Sequence, residues 1–282
     1  MSLRSLLALL IMLATTLSGA PRILVHGHRG ARAVRPENTI PAFEYAIEAG
    51  ADVLELDLAV TRDNVLVVSH DPTLNHTICS SPGGGTVIHE LTFEEVRRWD
   101  CGSKKNPAFP KQQPVPGARM PSLDEVFALA GRGRFEFNIE TKIFKDRPHL
   151  SPPPEEFARL VVEAVRKHKL ESRVILQSFD FRTLQAAARL APEIRRSALF
   201  EGLPRDIVKA AVEAGANILS PHQFLVTRRN VDSAHRKGLQ VVPWTANTPK
   251  EWERLVEAGA DAIISDDPAE LIGYLRLRGH HK

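Results

Sequence analysis

The stretch Val53-Leu-Glu-Leu-Asp-Leu-Ala-Val-Thr-Arg-Asp-Asn-Val-Leu-Val-Val-Ser-His-Asp71 holds two apolar-rich runs on either side of Asp63-Asn64. Asp and Asn tolerate the positive φ of a tight hairpin turn, so the two runs read as paired strands. With Asp63-Asn64 as a two-residue loop, Arg62 pairs with Val65 and Asp57 lies directly across from His70. Alternation by two then puts Glu55, Asp57, Val68 and His70 on one face. Carboxylates and an imidazole gathered this way suit either a metal site or an acid–base site.

Working outward, the same strand-then-helix rhythm covers the chain. Ile23–Gly27 is a short apolar run ending in Gly-His-Arg-Gly. Asn38 and Thr39 are placed to cap a helix, in which Ile40, Phe43, Ala46 and Ile47 share one face. Further strands are expected at Asp52–Leu58, Phe135–Glu140, Arg173–Ser178, Ile194–Phe200, Asn217–Ser220, Leu239–Trp244 and Asp261–Ser265. The segments Glu48-Ala-Gly-Ala-Asp52, Glu213-Ala-Gly-Ala-Asn217 and Glu257-Ala-Gly-Ala-Asp261 each stand where a helix ends and a strand begins. Their glycines suit the left-handed position that closes a helix. Eight strands alternating with helices predict an α/β fold, a (β/α)₈ TIM barrel. The interval between the second and third strands is over 70 residues long and holds capping boxes at Thr92…Glu95 and Ser122…Glu125; its residues 61–121 are an insertion that lies over the C-terminal mouth. It is too small, and too weakly periodic, to count as a second domain.

Composition narrows the function. The 282 residues are 43% hydrophobic with a formal net charge of +3, and Lys and Arg do not cluster in runs. That points away from nucleic acid and leaves an anionic small molecule open. Residues 1–20 read as an export signal, with Arg4 in the n-region, an uncharged Leu6–Leu17 and a Ser18-Gly19-Ala20 cleavage site. The mature chain, 21–282, is then periplasmic or secreted with no stable membrane span. Cys79 and Cys101 either form one disulfide, which an oxidising compartment favours, or remain thiols. Oligomeric state is not legible.

In the barrel frame, His28, Arg29 and Gly30 end strand one, Glu55 and Asp57 end strand two, and Glu140 and Lys142 end strand three. The hairpin brings His70 back to them. Three carboxylates this close would repel one another unless a hard divalent cation, Ca²⁺ or Mg²⁺, held them; pairing of Glu55 or Asp57 with Arg or Lys is the plainer alternative. His28 and His70 on either side of a scissile bond suit general base and general acid. Arg29 offers a planar fork to phosphate, Lys142 a second contact, and Trp244 either a pocket wall or core packing.

These residues carry a resemblance. His28-Arg29-Gly30, Pro36-Glu37-Asn38-Thr39, Glu55-Leu-Asp57, Thr61-Arg-Asp63-Asn64, His70-Asp71, Pro121-Ser-Leu-Asp-Glu125, Glu140-Thr-Lys142 and Trp244-Thr245, in this order, resemble the glycerophosphodiester phosphodiesterase family. Asn64 stands where that family usually has Gly. The resemblance implies metal-dependent hydrolysis of a glycerophosphodiester to sn-glycerol 3-phosphate and an alcohol. It implies His28 and His70 as the acid–base pair, and Glu55, Asp57 and Glu140 as ligands of one Ca²⁺ or Mg²⁺. Arg29 and Lys142 would hold the phosphate. A barrel enzyme acting on lysophospholipids and a non-enzymatic phosphodiester-binding protein are the competing readings.

Overall fold

Every residue of β2 (Val53–Val60) is buried, yet the strand alternates leucine with acid. Leu54, Leu56 and Leu58 join the large core shared with the surrounding helices. Glu55 and Asp57 have the opposite parity and face the barrel interior. The computed structural model describes residues 20–202 and 206–282. The export signal read at residues 1–20 falls outside them, apart from Ala20.

The strands are β1 (Leu24–Gly27), β2, β3 (Leu66–Val68), β4 (Glu136–Thr141), β5 (Val174–Ser178), β6 (Arg195–Phe200), β7 (Ile218–Pro221), β8 (Gln240–Val241) and β9 (Ala262–Ser265). Their spatial order is β8-β7-β6-β5-β4-β2-β1-β9, all parallel, with β3 outside this path and antiparallel to β2. Backbone bonds from Asp261 N to Val241 O (3.0 Å) and from Ile264 N to Pro243 O (3.0 Å) join the last strands and close the eight-stranded TIM barrel.

The helices between strands are α1 (Ile40–Ala49), α2 (Phe93–Arg97), α3 (Leu123–Phe127), α4 (Pro154–His168), α5 (Phe181–Leu190), α6 (Ile207–Glu213), α7 (Arg228–Arg236), α8 (Pro249–Ala258) and α9 (Pro268–Arg276). Gly50 and Gly259 are the left-handed caps of α1 and α8, at φ 90° and 87°. Both expected capping boxes form, at Thr92 and Ser122. The expected cap of α1 does not. Thr39 donates its hydroxyl to Pro36 O (2.6 Å) instead, and Asn38 sits at φ 56° with its side chain turned to Asp57.

The hairpin register differs by one residue from the expectation. Leu58 faces Val68, Ala59 faces Val67 and Val60 faces Leu66. The loop therefore has three residues, Arg62-Asp63-Asn64, with Asn64 at φ 59°. Asp63 accepts from Thr61 Oγ1 (2.6 Å) and from Phe93 N at the start of α2 (3.0 Å), which keeps it inside the loop. Val68 consequently points to the helix side with Leu58, not to the Asp57 face, and Ser69 N donates to Asp57 O (3.0 Å). Continued alternation would turn His70 away from Asp57. It does not, because β3 ends at Val68 and the chain bends back over the mouth.

The insertion packs a small second core, in which Val67, Leu74, Ile88, Val96, Trp99 and Met120 meet Ala59 of β2 around the Cys79–Cys101 disulfide. Closing a loop of 22 residues is worth roughly 3 kcal/mol by chain entropy.

Candidate active site

Tight backbone brings β1 to the site. A Cβ on Gly27 would lie 2.2 Å from Gly30 O, and one on Gly30 would lie 2.7 Å from the Ala42 backbone. The loop can pass this close to α1 only without side chains at both places. It aims the buried His28 across the mouth and presents Arg29 N to Glu55 Oε2 at 2.9 Å.

His28 Nδ1 is 2.5 Å from Oδ1 of Asp266, the first residue after β9. Asp266 also accepts from Arg32 Nε (2.7 Å) and Asn247 Nδ2 (2.7 Å). Burial, reinforced by the Arg32 charge, lowers the His28 pKa to about 4 against the pull of Asp266. His28 is thus a neutral imidazole whose Nδ1–H goes to Asp266, leaving Nε2 as a base, 3.9 Å from Glu55 Oε2. His70 is held in the same manner, its Nδ1 2.8 Å from Asp71 Oδ1 while Asn75 Nδ2 donates to Asp71 Oδ2 (2.9 Å).

Glu55, Asp57 and Glu140, all buried, offer ligand oxygens within 4.8 Å of one another. Gln177 Nε2 donates to Glu55 Oε1 (2.7 Å), and Asn38 Nδ2 to Asp57 Oδ2 (3.0 Å). Lys142 Nζ lies 2.8 Å from Glu140 Oε1 and 3.2 Å from Asp57 Oδ1, and Arg29 Nε lies 3.2 Å from Asp57 Oδ2. Asp57 is held well below the usual carboxylate range: burial pushes it up, but Lys142 and Arg29 outweigh that. Glu55 is raised well above it by burial and by the neighbouring Asp57 charge, and Glu140 is raised by burial. The site thus has an excess of negative charge that its own cations do not neutralise. Its all-oxygen donor set fits a hard divalent ion.

These groups line one cavity of about 380 Å³ together with Phe179, Leu199 and Trp244. Trp244 is both wall and packing. Its Nε1 donates to Ser220 O (3.0 Å), and Phe179 and His222 meet its ring edge-on at 5.5 and 5.1 Å. All eight side chains proposed from sequence, His28, Arg29, Glu55, Asp57, His70, Glu140, Lys142 and Trp244, reach this cavity. Asp266, Asp71 and the Asn38 side chain were not singled out as site residues. Asp266 had a usable signal, since Asp266-Asp267-Pro268 follows directly on the last strand, at the end of the barrel where sites lie.

Residues 28–270 match the model of the glycerophosphoryl diester phosphodiesterase family. The chain belongs to that family. A glycerophosphodiester phosphodiesterase of Caldanaerobacter subterraneus subsp. tengcongensis is 35% identical over 258 residues, covering 92% of this chain and 100% of its own. A crystallised Silicibacter pomeroyi protein of the glycerophosphoryl diester phosphodiesterase kind superposes with a TM-score of 0.86 at 30% identity, covering 93% of this chain and 95% of its own. A Mus musculus lysophospholipase D is 25% identical, covering 88% and 84%. This family member is therefore an enzyme, a phosphoric diester hydrolase. Among the described residues no helix is long and apolar enough to cross a membrane.

Proposed function

We propose that this phosphodiesterase hydrolyses glycerophosphodiesters to sn-glycerol 3-phosphate and an alcohol, with His28 and His70 transferring the protons. The observation that carries this reading is the pair of imidazoles, each fixed through Nδ1 by a carboxylate, beside three buried carboxylates in one cavity. Glu55, Asp57 and Glu140 would hold one Ca²⁺ or Mg²⁺, which when bound supplies positive charge to the phosphoryl oxygens. Arg29 and Lys142, already at the acid cluster, are placed to share the remaining phosphate oxygens.

His28 Nε2 takes the proton of the attacking oxygen, either water or the neighbouring glycerol hydroxyl. The new O–P bond forms as the bond to the leaving alcohol breaks, and His70 Nε2–H protonates the departing oxygen. If the glycerol hydroxyl attacks, the cyclic phosphate is opened by water with the two roles exchanged. Asp266 stabilises the imidazolium that forms on His28 and holds the ring in one tautomer.

Purified protein should release sn-glycerol 3-phosphate from glycerophosphocholine with added Mg²⁺ or Ca²⁺ and lose this activity in EDTA. Full turnover in excess chelator would overturn the metal assignment. Comparing glycerophosphocholine with lysophosphatidylcholine separates this reading from the lysophospholipid one. Export of the mature chain, 21–282, to the periplasm or medium belongs to the same proposal and is supported by the Cys79–Cys101 disulfide. Cell fractionation tests it.

A further inference from the structure

The two imidazoles of the cavity are held unequally. The His28 side chain is 11% exposed, and its partner Asp266 also takes hydrogen bonds from Arg32 and Asn247. The His70 side chain is 36% exposed and sits on the bend after β3, outside any strand or helix. Its direction therefore depends on what holds Asp71, which accepts from His70 on Oδ1 and from Asn75 Nδ2 on Oδ2 (2.9 Å).

The Asn75 amide can face only one way. Its Oδ1 accepts from Thr77 N (2.9 Å), which leaves its NH₂ for Asp71. A flipped amide would set an oxygen against the carboxylate and an NH₂ against the Thr77 N–H. The Asn75 backbone is fixed as well. Its carbonyl accepts from Cys79 N (2.8 Å) and Ile78 N (3.1 Å), closing a tight turn on the buried Cys79. Cys79 is bonded to Cys101, and beside that bond Ser80 and Asp100 exchange both backbone hydrogen bonds, at 2.6 and 3.2 Å. His70, Asp71, Asn75, Cys79 and Cys101 line one small cleft, so the disulfide and the support of the imidazole are neighbours.

We propose that Asn75, anchored by the Cys79–Cys101 disulfide, is the positioning residue for His70. Through Asp71 it sets the direction in which the imidazole delivers its proton, and proton transfer is sensitive to that direction. The inference rests on His70 as the proton donor to the leaving alcohol and adds to that reading what aims the donor. Asn75 and the disulfide act only through Asp71.

The test compares kcat for glycerophosphocholine with kcat for the para-nitrophenyl ester of glycerol phosphate. Choline must be protonated as it leaves, whereas para-nitrophenolate departs as a stable anion. His70→Ala supplies the reference, with a large loss on the choline ester and a small one on the nitrophenyl ester. Asn75→Asp should show the same pattern with about a 10-fold loss on choline, the order of one charge-assisted hydrogen bond. This variant keeps the acceptor for Thr77 N, so a purely structural role for Asn75 would leave both rates alone. It replaces the donor to Asp71 with a like charge, so the positioning role demands a loss, measured at about pH 8 where both carboxylates are ionised. The double variant Cys79→Ala/Cys101→Ala should reproduce the selective loss while keeping the far-UV spectrum of the wild type. A double variant that unfolds would assign the bond to the fold and overturn its part in aiming His70. Equal losses on both esters in Asn75→Asp, or no loss on choline, would overturn the proposal while the diesterase reading stands. If His70→Ala itself lost equally on both esters, the acid assignment would fall and this inference with it.

Discussion

On one wall of the cavity, ionisable side chains from β1, β2, β4, the hairpin and the end of β9 are tied to one another at 2.5–3.2 Å. On the other, the loops after β5 and β8 contribute rings that meet edge-on at 5.5 Å. The first wall is mostly buried and charged, so each group needs its partners: removing one leaves another uncompensated in a poor solvent. The second is held by contact area and tolerates change. Chemistry should therefore fail abruptly on the charged wall and gradually on the aromatic one.

The largest effect is expected at the imidazoles. His28→Ala or His70→Ala should cut turnover by about 10²–10⁴-fold, the usual worth of a positioned acid or base. The far-UV spectrum should stay that of the wild type. Near-normal rates would remove the assignment and erase the contrast between the walls.

Asp266→Asn comes next. Asp266 accepts on both oxygens, from His28 and Arg32 on one side and from Asn247 Nδ2 on the other. Asn247 cannot turn over, because its own Oδ1 already accepts from Asp266 N (2.9 Å) and Ser265 Oγ (3.2 Å). An amide at 266 must put its NH₂ against a donor in either orientation. Turnover should drop about 10–100-fold, as for other partners that orient a functional histidine. A drop confined to KM would show that Asp266 only shapes the binding site.

Trp244→Ala tests the aromatic wall. It should raise KM by about 10-fold or less while kcat moves little, since the ring lines the cavity and carries no group that could move a proton. An equal loss in kcat would mean that both walls take part in the chemistry.

The smallest effect is on stability. Burial lowers His26 to about 3 and His28 to about 4 from an ordinary 6.5. The unfolded chain therefore binds more protons than the folded one below pH 6.5. Stability should be full above about 6.5 and fall as pH drops toward 4; below about 4 Asp266, held low by His28 and Arg32 despite its burial, adds a further loss, because the unfolded carboxylate takes up a proton that the folded one does not. Thermal melting across this range should show the decline, and His26→Asn should flatten it. A pH-independent midpoint would mean that neither ring is buried as described.

The barrel was legible because apolar period and glycine caps are local signals. Glu48-Ala-Gly-Ala-Asp52 and Glu257-Ala-Gly-Ala-Asp261 mark helix ends without reference to anything distant, and Gly50 and Gly259 cap them. The site was legible wherever acidic residues interrupt an apolar strand, as Glu55, Asp57 and Glu140 do. The hairpin was misread by one residue because Asp63-Asn64 suits a two-residue turn, whereas bonds to Thr61 and Phe93 hold Asp63 in a three-residue one. Phe93 lies 30 positions away. Asn38 looked like a helix cap for a similar reason: its side chain can satisfy local backbone, and only the fold shows that it serves Asp57 instead.

By itself the sequence determined the eight alternating strands and helices, the family, and the set of polar side chains gathered at one mouth. These follow from periodicity and from motif order, which need no long-range information. Tertiary structure alone decided how His70 faces the cavity, since a strand must stop and bend for alternation to be broken after Val68. It also decided which carboxylate holds His28. Asp266 lies 238 residues away along the chain, and only closure of the barrel, which sets β9 beside β1, brings the two within a hydrogen bond.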